Sequence, residues 1–162
     1  MIVVSDTSPL TNLAAIGQFN LLHSLFGEVY IARQVHDELT ALGHRWPGAD
    51  EVDQADWVHI CEVTNIALFQ ALQRDLDAGE AASIAIALEL KANLILLDEM
   101  DGRRAAQRLG LEIVGTLGVL LSAKSRSLIP QLQPLIDALR RDAGFYISDT
   151  LYDEIMRLAK EA

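Results

Sequence analysis

Short apolar segments alternate with helix-like segments along this chain of 162 residues, and that alternation restricts the fold more than any other feature. The segments predicted as strands are residues 2–5, 28–32, 57–63, 93–98 and 111–115. Strands that alternate with helices favour a parallel sheet, and strands covered on both faces are apolar almost throughout. We therefore predict an α/β fold with a mostly parallel sheet, in a single domain spanning residues 1–162.

The predicted helices follow from capping residues and from apolar periodicity. The first has Ser8 as its N-cap and Pro9 at its first position, and it ends at Gly17. Further helices are predicted at residues 33–42, from residue 79 onwards, and at 103–109, 116–125, 130–142 and 148–162. The last one carries an apolar stripe of Leu151, Tyr152, Ile155 and Leu158. With Tyr146, Tyr152 and Met156, this helix either completes the core or mediates dimerisation, and we favour the core.

Composition excludes several classes of protein. The formal net charge is −10, whereas a protein that coats nucleic acid non-specifically is basic. No apolar run reaches the roughly 18 residues that a membrane helix needs. The N-terminus lacks the basic and apolar regions of a signal peptide, and Cys61 is the only cysteine. We therefore expect a cytoplasmic protein without an internal disulfide.

Two acidic residues directly follow predicted strands. Asp6 comes after the first strand, and Asp98 comes after the strand in "NLILLD". Because the carboxyl ends of parallel strands meet at one edge of a sheet, both acids are expected at the same edge, where such sheets bind ligands. Each of them is alternatively an ordinary N-cap of the helix that follows.

Two further acidic residues lie on or beside apolar helix faces. Glu38 is three residues after Val35, in a helix whose stripe also includes Leu39 and Leu42, and Glu80 shares a face with Ile84 and Leu88. A carboxylate in such a place is costly unless a cation meets it. For Glu38 a salt bridge at the core margin is the alternative. For Glu80 the alternative is a capping box with Asp77 as N-cap.

Together, these four acids indicate a site for a hard divalent cation. Clustered carboxylates repel one another, and Mg²⁺ and Mn²⁺ prefer oxygen ligands. Zinc is not indicated, because His23, His36, His44 and His59 lack ligand spacing and Cys61 has no partner. A carboxylate-bound metal pair activates water for in-line attack on a phosphodiester.

Arginines follow the last acidic cluster. Arg103, Arg104 and Arg108 begin about a turn after Asp98. They are placed to bind phosphates that flank a reacting one, or they form an ordinary solvated helix face.

Several segments resemble the PIN-domain family of metal-dependent ribonucleases, and in particular the short prokaryotic members related to VapC-type toxins. They are "VSDTSPLTNL", "VHDEL", "LDAGEAASIAIALE", "LILLDEMDGRRAAQRLGLEIVGTLGVLL" and the C-terminal "AGFYISDTLYDEIMRLAKE". The resemblance spans nearly the whole chain, and the third and fourth segments are its most specific part. It implies a three-layer α/β/α sandwich with a central sheet of about five strands, Mg²⁺ or Mn²⁺ as cofactor, an RNA substrate, a cognate antitoxin and a homodimer.

The resemblance also assigns roles to residues in the first three segments. Asp6, Glu38 and Glu80 correspond to three of the four PIN acids, which implies that they are catalytic and bind the metal. Thr7 and Ser8 follow the first acid and are expected to help hold the metal, its water or the substrate.

The fourth segment supplies the remaining acid. Asp98 corresponds to the fourth PIN acid, which implies that it is catalytic and, with Asp6, one of the two main metal ligands. Glu99 beside it and Asp101 nearby are further candidate metal ligands. Related members carry two adjacent aspartates at this point, whereas this chain has Asp-Glu, so the choice between Glu99 and Asp101 stays open. Arg103 and Arg104 are expected to bind the substrate.

Other proteins also place acids at strand ends. A phosphatase of the haloacid-dehalogenase type needs a second aspartate two residues after Asp6, where this chain has Ser8. A receiver domain needs paired acids after the first strand and a late lysine, and neither is evident. The main alternative is a catalytically inactive PIN-like protein that binds or regulates a partner.

Overall fold

A computed structural model describes residues 1–41 and 45–162, and its centre is a five-stranded, all-parallel sheet. The order of the strands is β3-β2-β1-β4-β5. Their bounds are β1 Val3–Ser5, β2 Val29–Ala32, β3 Val58–Cys61, β4 Leu94–Leu96 and β5 Ile113–Val114. Each lies within a segment predicted as a strand, so the α/β prediction is confirmed.

Helices flank both faces of the sheet and produce the three-layer α/β/α arrangement. One layer contains α5, α6 and α7, and the other contains α1, α2, α8 and α9, while α3 contacts both α1 and α6. The bounds are α1 Thr7–Ala15, α2 Leu21–Phe26, α3 Arg33–Leu39, α4 Ala49–Gln54, α5 Ile66–Leu72, α6 Ala78–Glu89, α7 Met100–Arg108, α8 Thr116–Ser125, α9 Gln133–Asp142 and α10 Asp149–Leu158.

Two helices begin earlier than predicted. Helix α1 begins at Thr7, with Asp6 rather than Ser8 in the N-cap position. Pro9 then lies third in the helix, where an absent amide costs nothing because first-turn amides have no partner within a helix. Helix α7 begins at Met100 instead of Arg103 and includes Gly102 in its first turn.

Three helix predictions extend beyond what is observed, because α9 begins at Gln133 instead of residue 130, α10 ends at Leu158 instead of residue 162, and α3 is also shorter. Helix α3 ends at Leu39, three residues before its predicted end. Leu42, predicted to continue the stripe of this helix, lies outside the described residues, as does His44.

Helix α10 packs through a different face from the one predicted. Ile155, Met156 and Ala159 are buried, whereas Leu151 and Leu158 are exposed. Arg140 lies over the ring of Tyr152, 4.5 Å from its centroid, and the Tyr152 side chain is half-buried. The helix therefore completes the core through Ile155 and Met156, as we favoured. The stripe that included Leu151 and Leu158 was wrong, and so was the core position of Tyr146, which is exposed.

The strand order places a crevice between β1 and β4. The chain moves in one direction from β1 through β2 to β3 and then returns to the other side of β1, so β1 and β4 are neighbours. In such sheets the ligand crevice lies beyond the carboxyl ends of the strands at this reversal. Ser5 pairs with Leu96, so the residues that follow these two strands emerge together.

Within the described part of the chain, no helix has the length and apolar character required to cross a membrane.

Candidate active site

Acidic side chains line a cleft of about 540 Å³ beyond the carboxyl end of β1. The end of β1 contributes Asp6, α3 contributes Glu38, the start of α6 contributes Asp77 and Glu80, and the residue before α7 contributes Glu99. None of the described residues that line this acidic cleft is basic. Its carboxylates are therefore compensated by protonation, by hydrogen bonds or by a bound cation.

Asp6 is the most deeply buried of these acids, with 3% of its surface exposed. Its amide nitrogen donates a hydrogen bond to the carbonyl of Leu96 at 3.0 Å, which joins the ends of β1 and β4. The Ser83 hydroxyl reaches Oδ1 of Asp6 at 3.5 Å. Burial, aided by the charges of Asp77, Glu80 and Glu38 and opposed by a hydrogen bond from the Thr7 backbone, raises the pKa of Asp6 to about 8.

Glu80 is both part of a capping box and a member of the acidic cleft. Its amide donates to Oδ1 of Asp77 at 2.8 Å, and its Oε1 accepts from the Asp77 amide at 3.3 Å. The other oxygen, Oε2, is buried and has no hydrogen-bond partner among the described residues. Burial, followed by Asp77, raises the pKa of Glu80 to about 7. The capping role and the functional role are therefore compatible.

Glu38 is held in the same cleft by a hydroxyl. Thr7 Oγ1 donates to Oε2 of Glu38 at 2.6 Å, and this bond joins the start of α1 to α3. Burial and the charge of Asp77 raise the pKa of Glu38, while the bond from Thr7 opposes that shift.

Two buried glycines leave space for these carboxylates. A Cβ at Gly79 would collide with the carboxylate of Glu38, and a Cβ at Gly102 would lie 2.7 Å from Oε2 of Glu80. Because real Cβ atoms do not approach oxygen so closely, Gly102 allows the first turn of α7 to pack against Glu80. This packing explains why α7 includes a residue that sequence reasoning placed before the helix.

Asp98 points away from the acidic cleft, towards the start of α8. Its Oδ1 accepts from the Thr116 amide at 2.7 Å, and its Oδ2 accepts from the Thr116 hydroxyl at 2.7 Å and from Nδ2 of Asn12 at 3.1 Å. Asp98 lines a separate depression of about 370 Å³, which shares Ser8 and Glu99 with the acidic cleft. The structure thus brings together Asp6, Glu38 and Glu80, with Asp98 on the far side of Ser8 and Glu99.

The remaining predicted site residues take three different positions. Thr7 and Ser8 line the acidic cleft. Arg103 is half-buried and donates from Nη1 to the carbonyl of Leu97 at 2.9 Å, so it supports the end of β4. Asp101 and Arg104 line another cleft, of about 490 Å³, together with Arg108. The sequence left open whether Glu99 or Asp101 faces the metal, and in the structure Glu99 lines the acidic cleft.

The donor chemistry of the acidic cleft fits a hard divalent cation. Its donors are carboxylate and hydroxyl oxygens, which Mg²⁺ and Mn²⁺ prefer, and Oε2 of Glu80 lacks a protein donor. Within residues 1–41 and 45–162, no three His, Cys, Asp or Glu side chains already form a cluster close enough to hold an ion. A cation would therefore draw the carboxylates closer together.

Sequence reasoning missed four residues that shape this region. Asp77 was considered only as a cap, although its place three residues before Glu80 brings any ligand of Glu80 close to it. Thr116 follows β5, and a residue at that strand end shares the sheet edge with Asp98. We found no sequence signal that would have selected Asn12 or Ser83.

Comparisons with known proteins bear on the family. A family model described as a PIN domain matches residues 2–161. No curated protein matches the chain. PIN domains are in general nucleases, hydrolases that use divalent metal ions. The match covers almost the whole chain and agrees with the fold and with the acidic cleft, so this chain belongs to the PIN-domain family.

Proposed function

We propose that this protein is a Mg²⁺- or Mn²⁺-dependent endoribonuclease that hydrolyses RNA phosphodiester bonds. The observation that carries the proposal is the buried Oε2 of Glu80, which has no hydrogen-bond donor among the described residues and lies in a cleft with Asp6, Glu38 and Asp77. A buried carboxylate oxygen without a partner is costly, and a cation would remove that cost.

The residues that would hold the cation are the carboxylates that line the acidic cleft, which are Asp6, Glu38, Asp77, Glu80 and Glu99. When bound, a divalent cation lowers the pKa of water and neutralises charge on phosphate oxygens. The protein orients its own ligands. The Thr7 hydroxyl fixes one oxygen of Glu38, and the capping box fixes Glu80 on the first turn of α6.

The acids after β4 have different proposed roles. Glu99 lines the acidic cleft, so we assign it as the ligand from this segment. Asp98 holds the start of α8 against the end of β4 through its hydrogen bonds with Thr116, so we assign it a positioning role beside the site. Asp101 faces the neighbouring cleft and is the weaker ligand candidate.

An RNA cleavage assay tests the proposal directly. The parent protein is expected to cut a labelled single-stranded RNA in Mn²⁺ and to lose cleavage in EDTA. Asp6→Asn and Glu80→Gln should each reduce the rate at least about a hundredfold, as removal of a charged catalytic group does. Asp153→Asn makes the same chemical change at an exposed position of α10, and this variant should cut RNA like the parent. Equal cleavage by all four proteins would refute the assignment.

A biological role as the toxin of a toxin–antitoxin pair is part of the proposal. It rests on the resemblance to VapC-related proteins described above, as do the cognate antitoxin and the homodimer. The cytoplasmic location that we propose rests on the single cysteine and on the sequence of the N-terminus. Expression of the parent in a bacterium should arrest growth, and Asp6→Asn should not. Co-expression of a small neighbouring gene should relieve the arrest, and growth unaffected by the parent would contradict the toxin role.

A second candidate is a PIN protein that binds a partner without cleavage. The raised pKa values of Asp6 and Glu80 favour it, because protonated carboxyls tolerate burial without a metal. Thermal unfolding separates the two candidates. A nuclease should gain stability as Mn²⁺ rises to millimolar concentration, since the cation binds only the folded state. An unchanged melting temperature would favour the non-catalytic candidate.

A further inference from the structure

The loop between α9 and α10 presents an exposed aromatic ring beside the acidic cleft. Tyr146 has 84% of its surface exposed, more than any other large hydrophobic residue among the described ones. It lines the depression that also contains Asp98 and Glu99, and this depression shares Ser8 and Glu99 with the acidic cleft. The ring therefore borders a depression that adjoins the acidic cleft of the proposed nuclease.

Hydrogen bonds hold the backbone on both sides of Tyr146, so its side chain is exposed from a segment with a defined conformation. The Phe145 amide donates to the Leu139 carbonyl at 3.1 Å, and Arg140 donates to the Ile147 carbonyl at 2.8 Å. Phe145 packs against the core and Ile147 is buried, so their alternation directs the residue between them outward. Gly144, with φ of +62°, provides the turn that precedes the segment.

The charge of the depression selects the part of a nucleic acid that fits there. No lysine or arginine occurs among the described residues that line it, and two of them are acids. A phosphate would be repelled, whereas a nucleobase is uncharged and presents a face for stacking. Aromatic rings bind unpaired bases in this way in proteins that recognise single-stranded nucleic acid.

We propose that Tyr146 stacks on an unpaired base beside the scissile phosphate. The inference rests on the proposed nuclease function and adds a base-binding residue to it. A paired base cannot offer its face to Tyr146 without leaving the helical stack, so a duplex of the same sequence should be a poor substrate.

Binding without cleavage tests the stacking. All variants are made in the Asp6→Asn background, and fluorescence anisotropy measures the affinity for a labelled single-stranded RNA and for the matching duplex. Tyr146→Ala should weaken single-strand binding by roughly five- to a hundredfold, the range for loss of one base–aromatic stack. Tyr146→Phe keeps the ring and should bind within about twofold of its background. Leu158→Ala, which removes another exposed apolar side chain, on α10, should bind as its background does.

The same Tyr146 variants, made in the protein that retains Asp6, provide a kinetic test. In Mn²⁺, Tyr146→Ala should raise KM by a similar factor and leave kcat within about threefold, because the ring binds the substrate and takes no part in the reaction. Because Tyr146 is exposed, its replacement should leave the unfolding curve unchanged.

The outcomes separate this inference from the proposed function. If the parent cuts RNA and Tyr146→Ala binds and cuts equally well, the base site is refuted and the nuclease stands. If the parent does not cut but Tyr146→Ala weakens single-strand binding, the base site stands and the nuclease fails. The inference would also be overturned if Tyr146→Ala weakened binding to the duplex as much as binding to the single strand. So would a change in oligomeric state with unchanged RNA affinity, which would assign Tyr146 to a protein interface.

Discussion

Replacement of Asp6 by asparagine should stabilise the metal-free protein in a manner that depends on pH. In the unfolded chain Asp6 loses its proton near its ordinary pKa of 3.8, whereas in the folded protein it retains the proton up to about pH 8. Between these values the folded state binds more protons than the unfolded state. The parent therefore loses stability as pH rises through this window, and asparagine, which does not titrate, avoids the loss.

The size of the effect follows from the same two pKa values. Each pH unit above the unfolded pKa contributes about 1.4 kcal/mol, which gives about 4 kcal/mol at pH 7 and almost nothing at pH 3.5. For a chain of 162 residues this corresponds to a rise in melting temperature of about 10 °C. Glu80 titrates in both proteins and interacts with Asp6, so the difference between them reports Asp6 together with its interaction with Glu80.

Urea unfolding in EDTA at several pH values between 4 and 8 measures this difference. Asp153→Asn is the matched control, because it makes the same chemical change at an exposed position of α10. Its free energy of unfolding should equal that of the parent at every pH. Addition of Mn²⁺ should stabilise the parent and leave Asp6→Asn nearly unchanged. The reasoning is refuted if the two proteins differ by the same amount at pH 4 and pH 8, or if asparagine destabilises the protein at pH 8.

Three further substitutions test the packing around the site and at the C-terminus. Asp98→Ala removes the acceptor of three hydrogen bonds and should cost about 1–3 kcal/mol of stability with or without Mn²⁺, as urea unfolding would show. Gly102→Ala places a Cβ against Oε2 of Glu80, so calorimetric titration should find weaker Mn²⁺ binding and RNA cleavage should fall about tenfold or more. Ile155→Ala should cost about 2–5 kcal/mol, whereas Leu158→Ala should cost less than about 0.5 kcal/mol, and comparable losses would contradict the observed face of α10.

Most of the fold was accessible from local patterns. Every predicted strand contains an observed one, because apolar segments bounded by turns and helices are a local property. Helix ends were less predictable. The start of α7 depends on Gly102, which looks like a helix breaker in the sequence and serves as a close-contact residue beneath Glu80.

The site was predictable in its location and less so in its arrangement. Asp6 and Asp98 follow neighbouring parallel strands, so their presence at one sheet edge follows from the order of the elements along the chain. The direction of the Asp98 carboxylate depends on Asn12 and Thr116, which are 86 and 18 residues away along the chain. Hydrogen bonds over such separations exist only after the sheet and both helical layers have assembled, and for this reason no local pattern reveals them. The same physical reason applies to Asp77, whose carboxylate influences Asp6 and Glu38 only because α6 packs against β1 and α3.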